Sequence, residues 1–186
     1  MRKLFPILLI ALGVAFLGAG GYASYRGFDA RDQVRTELVA QNITTPDDAS
    51  IPNALVDDVA TAKSMAAIID HHARESSDGL TYSQMGRFMT ADGDPAGTNV
   101  EAEAVVGADG RPVANPMRNS AFQASALRTS LFSSVMAFEV STLVVGIGAL
   151  LVFLGFAIGG VGVALAGLAL PKLGHYLHVE PVTAIR

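Results

Sequence analysis

VSTLVVGIGALLVFLGFAIGGVGVALAGLALP, residues 140–171, contains no charged side chain. A helix rises about 1.5 Å per residue, so crossing a hydrocarbon core of about 30 Å takes about 20 residues. The stretch is longer than one crossing requires. Tilt is the ordinary way to fit the excess. A start above the bilayer or a break near Gly159-Gly160 would also use the length, whereas a hairpin returning to the same side would need more residues. We read 140–171 as a second transmembrane helix.

Its counterpart is residues 4–25, also uncharged and opening with Ile7-Leu8-Leu9-Ile10-Ala11-Leu12. Pro6 falls in the first turn of such a helix, where a missing N–H does little harm. Tyr22 and Tyr25 stand at the far end, where interfacial aromatics belong. A cleaved signal peptide is the other reading, and Gly21-Tyr22-Ala23 offers it a small-x-small site. The apolar run exceeds the usual signal core of about 7–15 residues, which favours a retained span.

Charge then orients the chain. Arg2 and Lys3 precede the first run; Lys172, His175, His178 and Arg186 follow the second. Cytoplasmic flanks carry the excess of basic residues. The expected topology is a multi-pass plasma-membrane protein with both termini cytoplasmic. Its parts are a cytoplasmic tip and first helix (1–25), an extracytoplasmic domain (26–139), the second helix (140–171) and a cytoplasmic tail (172–186). Of the 17 acidic residues only Glu180 lies outside 26–139. An acidic domain repels phosphate backbones, so nucleic acid is excluded as a partner. The absence of cysteine excludes disulfides, thiolate catalysis, thiolate metal sites and an acylated lipoprotein cysteine.

Gly155, Gly159 and Gly162 place small residues at helix-packing spacing, with Gly148 and Ala166 nearby. Such residues let two helices approach closely. The face serves either packing against the first span, which carries Gly13, Gly18 and Gly20, or contact with another subunit or a second copy.

The middle of the chain reads as mainly helical. The first helix continues through 28–41 and stops at Pro46-Asp47-Asp48. A second helix is expected from about Asn53 to Glu75, capped by Ser50 or Asn53, with Leu55, Val59, Ala62, Ala66, Ile69 and Ala73 on one face. A third runs from about Ser120 into the second span, with Ala124, Leu127, Leu131, Val135 and Phe138 as its apolar stripe and Arg128 off it. Three such helices can bury a small core together. Residues 86–118 carry Asp92-Gly93-Asp94-Pro95 and Asp109-Gly110, and read as a β-hairpin or a surface loop. Asp92-x-Asp94 lacks the remainder of an EF-hand, including its closing glutamate.

No catalytic residue and no cofactor emerge from these motifs. His71, His72 and Glu75 are the weak metal candidates, since two histidines and a carboxylate suit iron or zinc. Adjacent histidines diverge by about 100° on a helix, so they do not readily share an ion. Their alternative role is a polar helix end. Ser130, Ser133, Ser134 and Ser141 lack a nucleophile setting and an evident base. Glu139, beside the second span, is either a buried ion site or an interfacial charge in water. Asn42-Ile43-Thr44 fits a glycosylation acceptor, a short pattern of little predictive weight.

Several strings carry a resemblance. They are Ile43-Thr44-Thr45-Pro46-Asp47-Asp48-Ala49, Val56-Asp57-Asp58-Val59-Ala60-Thr61-Ala62, Ile68-Ile69-Asp70-His71-His72 and Gly79-Leu80-Thr81-Tyr82, followed by Leu127-Arg128-Thr129-Ser130-Leu131-Phe132 and Met136-Ala137-Phe138. Together they resemble a group of actinobacterial two-span membrane proteins of unknown role, often labelled aromatic ring-opening dioxygenases. The resemblance covers most of the chain outside the loop from Gly86 to Met117. It implies a membrane helical hairpin bearing a small helical domain and, by its label, a metal-dependent dioxygenase.

Three functions follow as expectations. The first is a non-enzymatic accessory or scaffold subunit of an envelope complex, with the lipid bilayer and other membrane subunits, or itself, as partners. The second is the dioxygenase. The third is an extracytoplasmic ligand-binding or sensor module that uses the 86–118 loop.

Overall fold

A computed structural model describes residues 4–169. The basic flanks used to orient the chain (Arg2, Lys3, Lys172, His175, His178 and Arg186) lie outside the described residues. Three helices carry the fold: α1 (Leu4–Ala40), α2 (Val59–Ser76) and α3 (Pro116–Ala169). Short 3-10 turns at Tyr82–Gln84 and Glu101–Glu103 and isolated β-bridges make up most of the remaining order. The protein is mainly helical, and α1 and α3 are each long and apolar enough to cross a membrane. The chain divides into two compact units. One combines α1 up to Phe28 with α3 from Leu143; the other is Asp29–Thr142.

In the first unit α1 and α3 pack antiparallel on a glycine seam. Gly20 faces Gly148 and Val152, Gly13 faces Gly155 and Gly159, and Gly162 faces Ile10. Buried positions recur every seven residues: Pro6, Gly13, Gly20 and Gly27 on α1; Gly148, Gly155 and Gly162 on α3. A β-carbon on Gly13 would lie 2.6 Å from Cα of Gly159, so backbone meets backbone there. Apart from this seam the helices point their large side chains outward. Only 17% and 11% of their most apolar windows are buried, and Phe153 is 69% exposed. A core helix of a water-soluble protein buries its apolar face against neighbours; these helices leave theirs bare.

The second unit has an ordinary side-chain core. Leu38 of α1, Ala62 and Ala66 of α2, and Leu131, Val135 and Phe138 of α3 close around Val56, which is fully buried. Ala62 and Ala66 have no exposed surface, so α2 lies close against its neighbours on that face.

Several boundaries differ from the sequence reading, each for a local reason. Helix α1 ends at Ala40, before Pro46, where Asn42 turns into the left-handed region at φ 51. Helix α2 begins at Val59, not near Asn53. Neither Ser50 nor Asn53 caps it: Ser50 bonds the Ser64 hydroxyl at 2.9 Å, and Asn53 sits in a turn at φ 51. Residues 43–56 fold back on themselves instead. Val56 N–H donates to the Ile43 carbonyl at 2.8 Å, and the Ala54 N–H donates to the buried hydroxyl of Thr45 at 3.0 Å. The cap is Asp58, which accepts from Thr61 N–H at 2.8 Å while the Thr61 hydroxyl accepts from Asp58 N–H. That reciprocal box satisfies two donors that a helix start leaves open. Helix α3 begins at Pro116, four residues before Ser120. Proline is well placed in a first turn, and the Asn115 side chain accepts from Met117 N–H at 3.0 Å.

Between α2 and α3, Phe88 bridges both Thr98 and Ala114, Thr90 bridges Ala104, and Val106 bridges Pro112. Asp109-Gly110 closes the last of these with Gly110 at φ +73. Among the described residues these bridges do not extend into a strand.

Candidate functional site

The histidines that drew attention in the sequence lie near the C-terminal end of α2, on its exposed side. His72 Nε2 is 2.7 Å from Asp48 Oδ2, and that hydrogen bond is the main reason the Asp48 carboxyl sits below the usual carboxylate range. His71 Nε2 is 3.8 Å from Glu75 Oε2, one helical turn along. The two rings are 5.8 Å apart and tilted by 48°. Each histidine thus turns to its own carboxylate. No group of three or more metal-ligating side chains occurs among the described residues. A mononuclear iron needs two histidines and a carboxylate converging on one point. The residues His71, His72 and Glu75 do not fit that ion, and no ring-opening step can be derived from them.

Arg128 departs from its expected place off the packing face. It is half-buried, and its Nη1 donates to Asp70 Oδ1 at 2.6 Å. Arg74 donates to the other oxygen of Asp70 at 3.1 Å. This pairing ties α2 to α3, and only a long side chain near the stripe could make it. Glu139 is exposed and bonds Lys63 at 3.0 Å. The serines of α3 turn inward on their own helix: Ser133 donates to the Thr129 carbonyl, Ser134 to that of Ser130 and Ser141 to that of Ala137. Asp92 and Asp94 accept from the backbone N–H groups of Asp94 and Ala96, so they shape their own loop.

Two concave surfaces of the second unit are large enough to receive a ligand or partner segment. The larger is an open groove of about 820 Å³. Val34, Leu38, Ile43, Met65, Ile69 and Leu127 supply much of its apolar lining. Gln33, Gln41, Ser130, Ser133 and Ser134 add polar groups, and Glu37 is the one charged lining residue. None of residues 86–118 contributes to it. Leu127 shares the α3 stripe yet is 55% exposed, a difference from the rest of the stripe that only the structure reveals. The smaller concavity, of about 260 Å³, lies where the bridged segment meets the start of α3.

The glycine face of α3 is occupied by α1, but unequally. A β-carbon on Gly155 would come within 2.8 Å of the Gly13 carbonyl and of the Leu17 side chain. One on Gly162 would lie 2.9 Å from Ile10, whereas one on Gly159 would meet Gly13 Cα at 3.7 Å, an ordinary contact.

No protein-family model matches the chain, and no curated protein or solved structure matches it.

Proposed function

We propose that this chain is a non-enzymatic integral membrane protein of the bacterial plasma membrane, an accessory or scaffold subunit of an envelope complex. On this reading α1 and α3 form a helical hairpin through the bilayer, both termini are cytoplasmic, and residues 26–139 form a small extracytoplasmic domain. The distribution of basic residues in the sequence supports the orientation. The bare apolar surface of both long helices supports insertion.

The observation that carries the role is the 820 Å³ groove between three helices. Apolar grooves of this kind receive amphipathic helices, whose anchors recur every three or four residues. The occupant we propose is such a helix from another membrane subunit. Its apolar side would cover Val34, Met65, Ile69 and Leu127, with a basic residue opposite Glu37.

A photo-crosslinking residue placed at Ile69, in cells, tests this. The expected result is one predominant adduct, mapped to a helical segment of a membrane protein and abolished by Leu127→Glu. The same probe at exposed Ser83 should give none. A chain that migrates as a lone monomer in mild detergent, with no adduct from the groove, would overturn the subunit role. A reporter fused after Arg186 that proves to be outside the cell would overturn the orientation.

A further inference from the structure

The smaller cavity has a chemistry that the subunit role does not use, and it shares no lining residue with the groove. Tyr82, Arg87, Asn115, Arg118, Asn119 and Phe122 surround its 260 Å³. Two arginines therefore line one small space with no carboxylate in its lining. Arg35, Arg74 and Arg128 each have an aspartate within 3.1 Å. Neither Arg87 nor Arg118 has such a partner among the described residues.

The arginine at the centre is held in place. Arg118 Nε donates to the Met85 carbonyl at 3.2 Å, and its Nη2 donates to the Tyr82 hydroxyl at 2.7 Å. Its guanidinium lies 4.0 Å over the Tyr82 ring, which packs on Phe122 at 5.6 Å. The Tyr82 hydroxyl accepts from Arg118 and so keeps its own proton to donate. Arg87 is fixed from the other side: its carbonyl accepts from Asn115 N–H at 2.8 Å, and its guanidinium rests 5.2 Å from the Phe88 ring. Asn115 itself is spent on structure. It donates to the Gly86 and Pro95 carbonyls at 3.2 and 3.0 Å and accepts from the first turn of α3.

Two like charges beside one cavity repel, and an anion between them offsets that repulsion. Guanidinium forks match the oxygens of phosphate in pairs and stack on flat rings. A water molecule takes about 30 Å³ of liquid, so the cavity has room for a head group and an attached body. About 33 Å of helical rise separates Arg118 from Val140, the start of the apolar run, which is too far for a phospholipid head group seated at that level. We propose that this cavity binds a small soluble phosphate monoester with a flat apolar substituent. The phosphate bridges Arg87 and Arg118 and accepts from the Tyr82 hydroxyl; the substituent lies along Tyr82 and Phe122.

Phenyl phosphate is the probe, titrated calorimetrically into the full chain in phosphatidylcholine nanodiscs at low salt. Saturable one-to-one binding is expected, tighter than that of inorganic phosphate, with no heat from phenol. Each charged hydrogen bond contributes about 1.5–3 kcal/mol, so Arg87→Gln should weaken binding at least about tenfold. Arg87 is exposed, so this variant keeps the fold, which amide exchange of α3 verifies. Arg118→Lys retains the charge, loses the fork, and should weaken binding similarly. Absence of saturation at millimolar phenyl phosphate would overturn the proposal, as would unchanged affinity in Arg87→Gln. Nanodiscs doped with phosphatidic acid separate the two sources of phosphate. Competition by that lipid would overturn the soluble ligand; unchanged phenyl phosphate binding supports it.

Discussion

The same two helices are built by opposite rules in the two units. Between Leu4 and Phe28, α1 meets α3 through glycines, backbone on backbone, and its large side chains point away. Between Asp29 and Ala40 it instead contributes Leu38 to a core of side chains closed by Val56, Leu131, Val135 and Phe138. Water drives apolar side chains together. Lipid does not, because its tails are as apolar as leucine, so close packing of small residues must hold helices there. On the proposed membrane reading, the change of packing rule along one helix marks a change of solvent.

Two phenylalanines of α3 give the largest test. Phe138 is 2% exposed and Phe153 is 69% exposed. Truncating a buried phenylalanine costs about 3–5 kcal/mol, transfer and cavity terms together. Phe138→Ala should destabilise the 29–142 unit by that amount in reversible unfolding in mild detergent, read by amide exchange on α2. Phe153→Ala should change that unit by less than about 0.5 kcal/mol. Equal effects would mean that both phenylalanines sit in one continuous core, and the contrast between the units would be gone.

The seam offers a finer test within one unit. Gly155 and Gly159 look alike in the sequence, yet only Gly155 has backbone and side-chain atoms within 3 Å of where a β-carbon would stand. Gly155→Ala should cost about 1–3 kcal/mol through overpacking and separate α1 from α3. Cysteine pairs introduced at Leu9 and Val163 would report this as lost crosslinking. Gly159→Ala should leave crosslinking unchanged, since 3.7 Å is ordinary contact. Loss in both variants would show that the helices approach more closely at Gly159 than the structure has it.

These contrasts also show what a sequence exposes and what it hides. Length and absence of charge made both long helices legible, because spanning is a property of a run and not of its neighbours. The apolar stripe of α3 was legible by period, and Leu131, Val135 and Phe138 lie in the core. The start of α2 was not. Leu55 continues the helical spacing of Val59 and Ala62, but bonds through Thr45 and Ile43 hold 54–56 out of the helix. A local signal did exist in Asp58 and Thr61, three residues apart just before an apolar face. The arginine cavity was hidden for a different reason. Arg118 is distant in sequence from Tyr82 and Arg87, and tertiary bonds such as Asn115 to Gly86 and Pro95 and Arg118 to Met85 bring the segments together. The groove escaped notice because exposure of Leu127 depends on what its neighbours leave uncovered.

The smallest effect concerns the cap that the sequence reading misplaced, and it tests whether the 29–142 unit depends on polar capping groups. Asp58→Ala removes one side of the box and should cost about 0.5–2 kcal/mol. Its pH dependence has a definite sign. Thr61 N–H and the Thr61 hydroxyl, in that order, favour the Asp58 carboxylate and hold its pKa below the usual 3.8. The folded state therefore releases this proton more readily than the unfolded one, and the carboxylate's contribution is fully present above that ordinary value. It fades as pH falls below 3.8 and through the lower folded value. Asp58 is exposed, so solvent screening keeps the contribution small. Asp58→Asn separates capping from charge, because asparagine caps about as well but does not titrate. The expected outcome is near-native stability at pH 7 together with a flatter loss of α2 helicity as the pH falls below 3.8. If Asp58→Asn lost stability at pH 7 as fully as Asp58→Ala, the carboxylate charge would matter more than the hydrogen bonds. If neither variant changed it, the start of α2 would be set by its packing on Val56 and α3 alone, and the two units would differ less in kind than their geometry indicates.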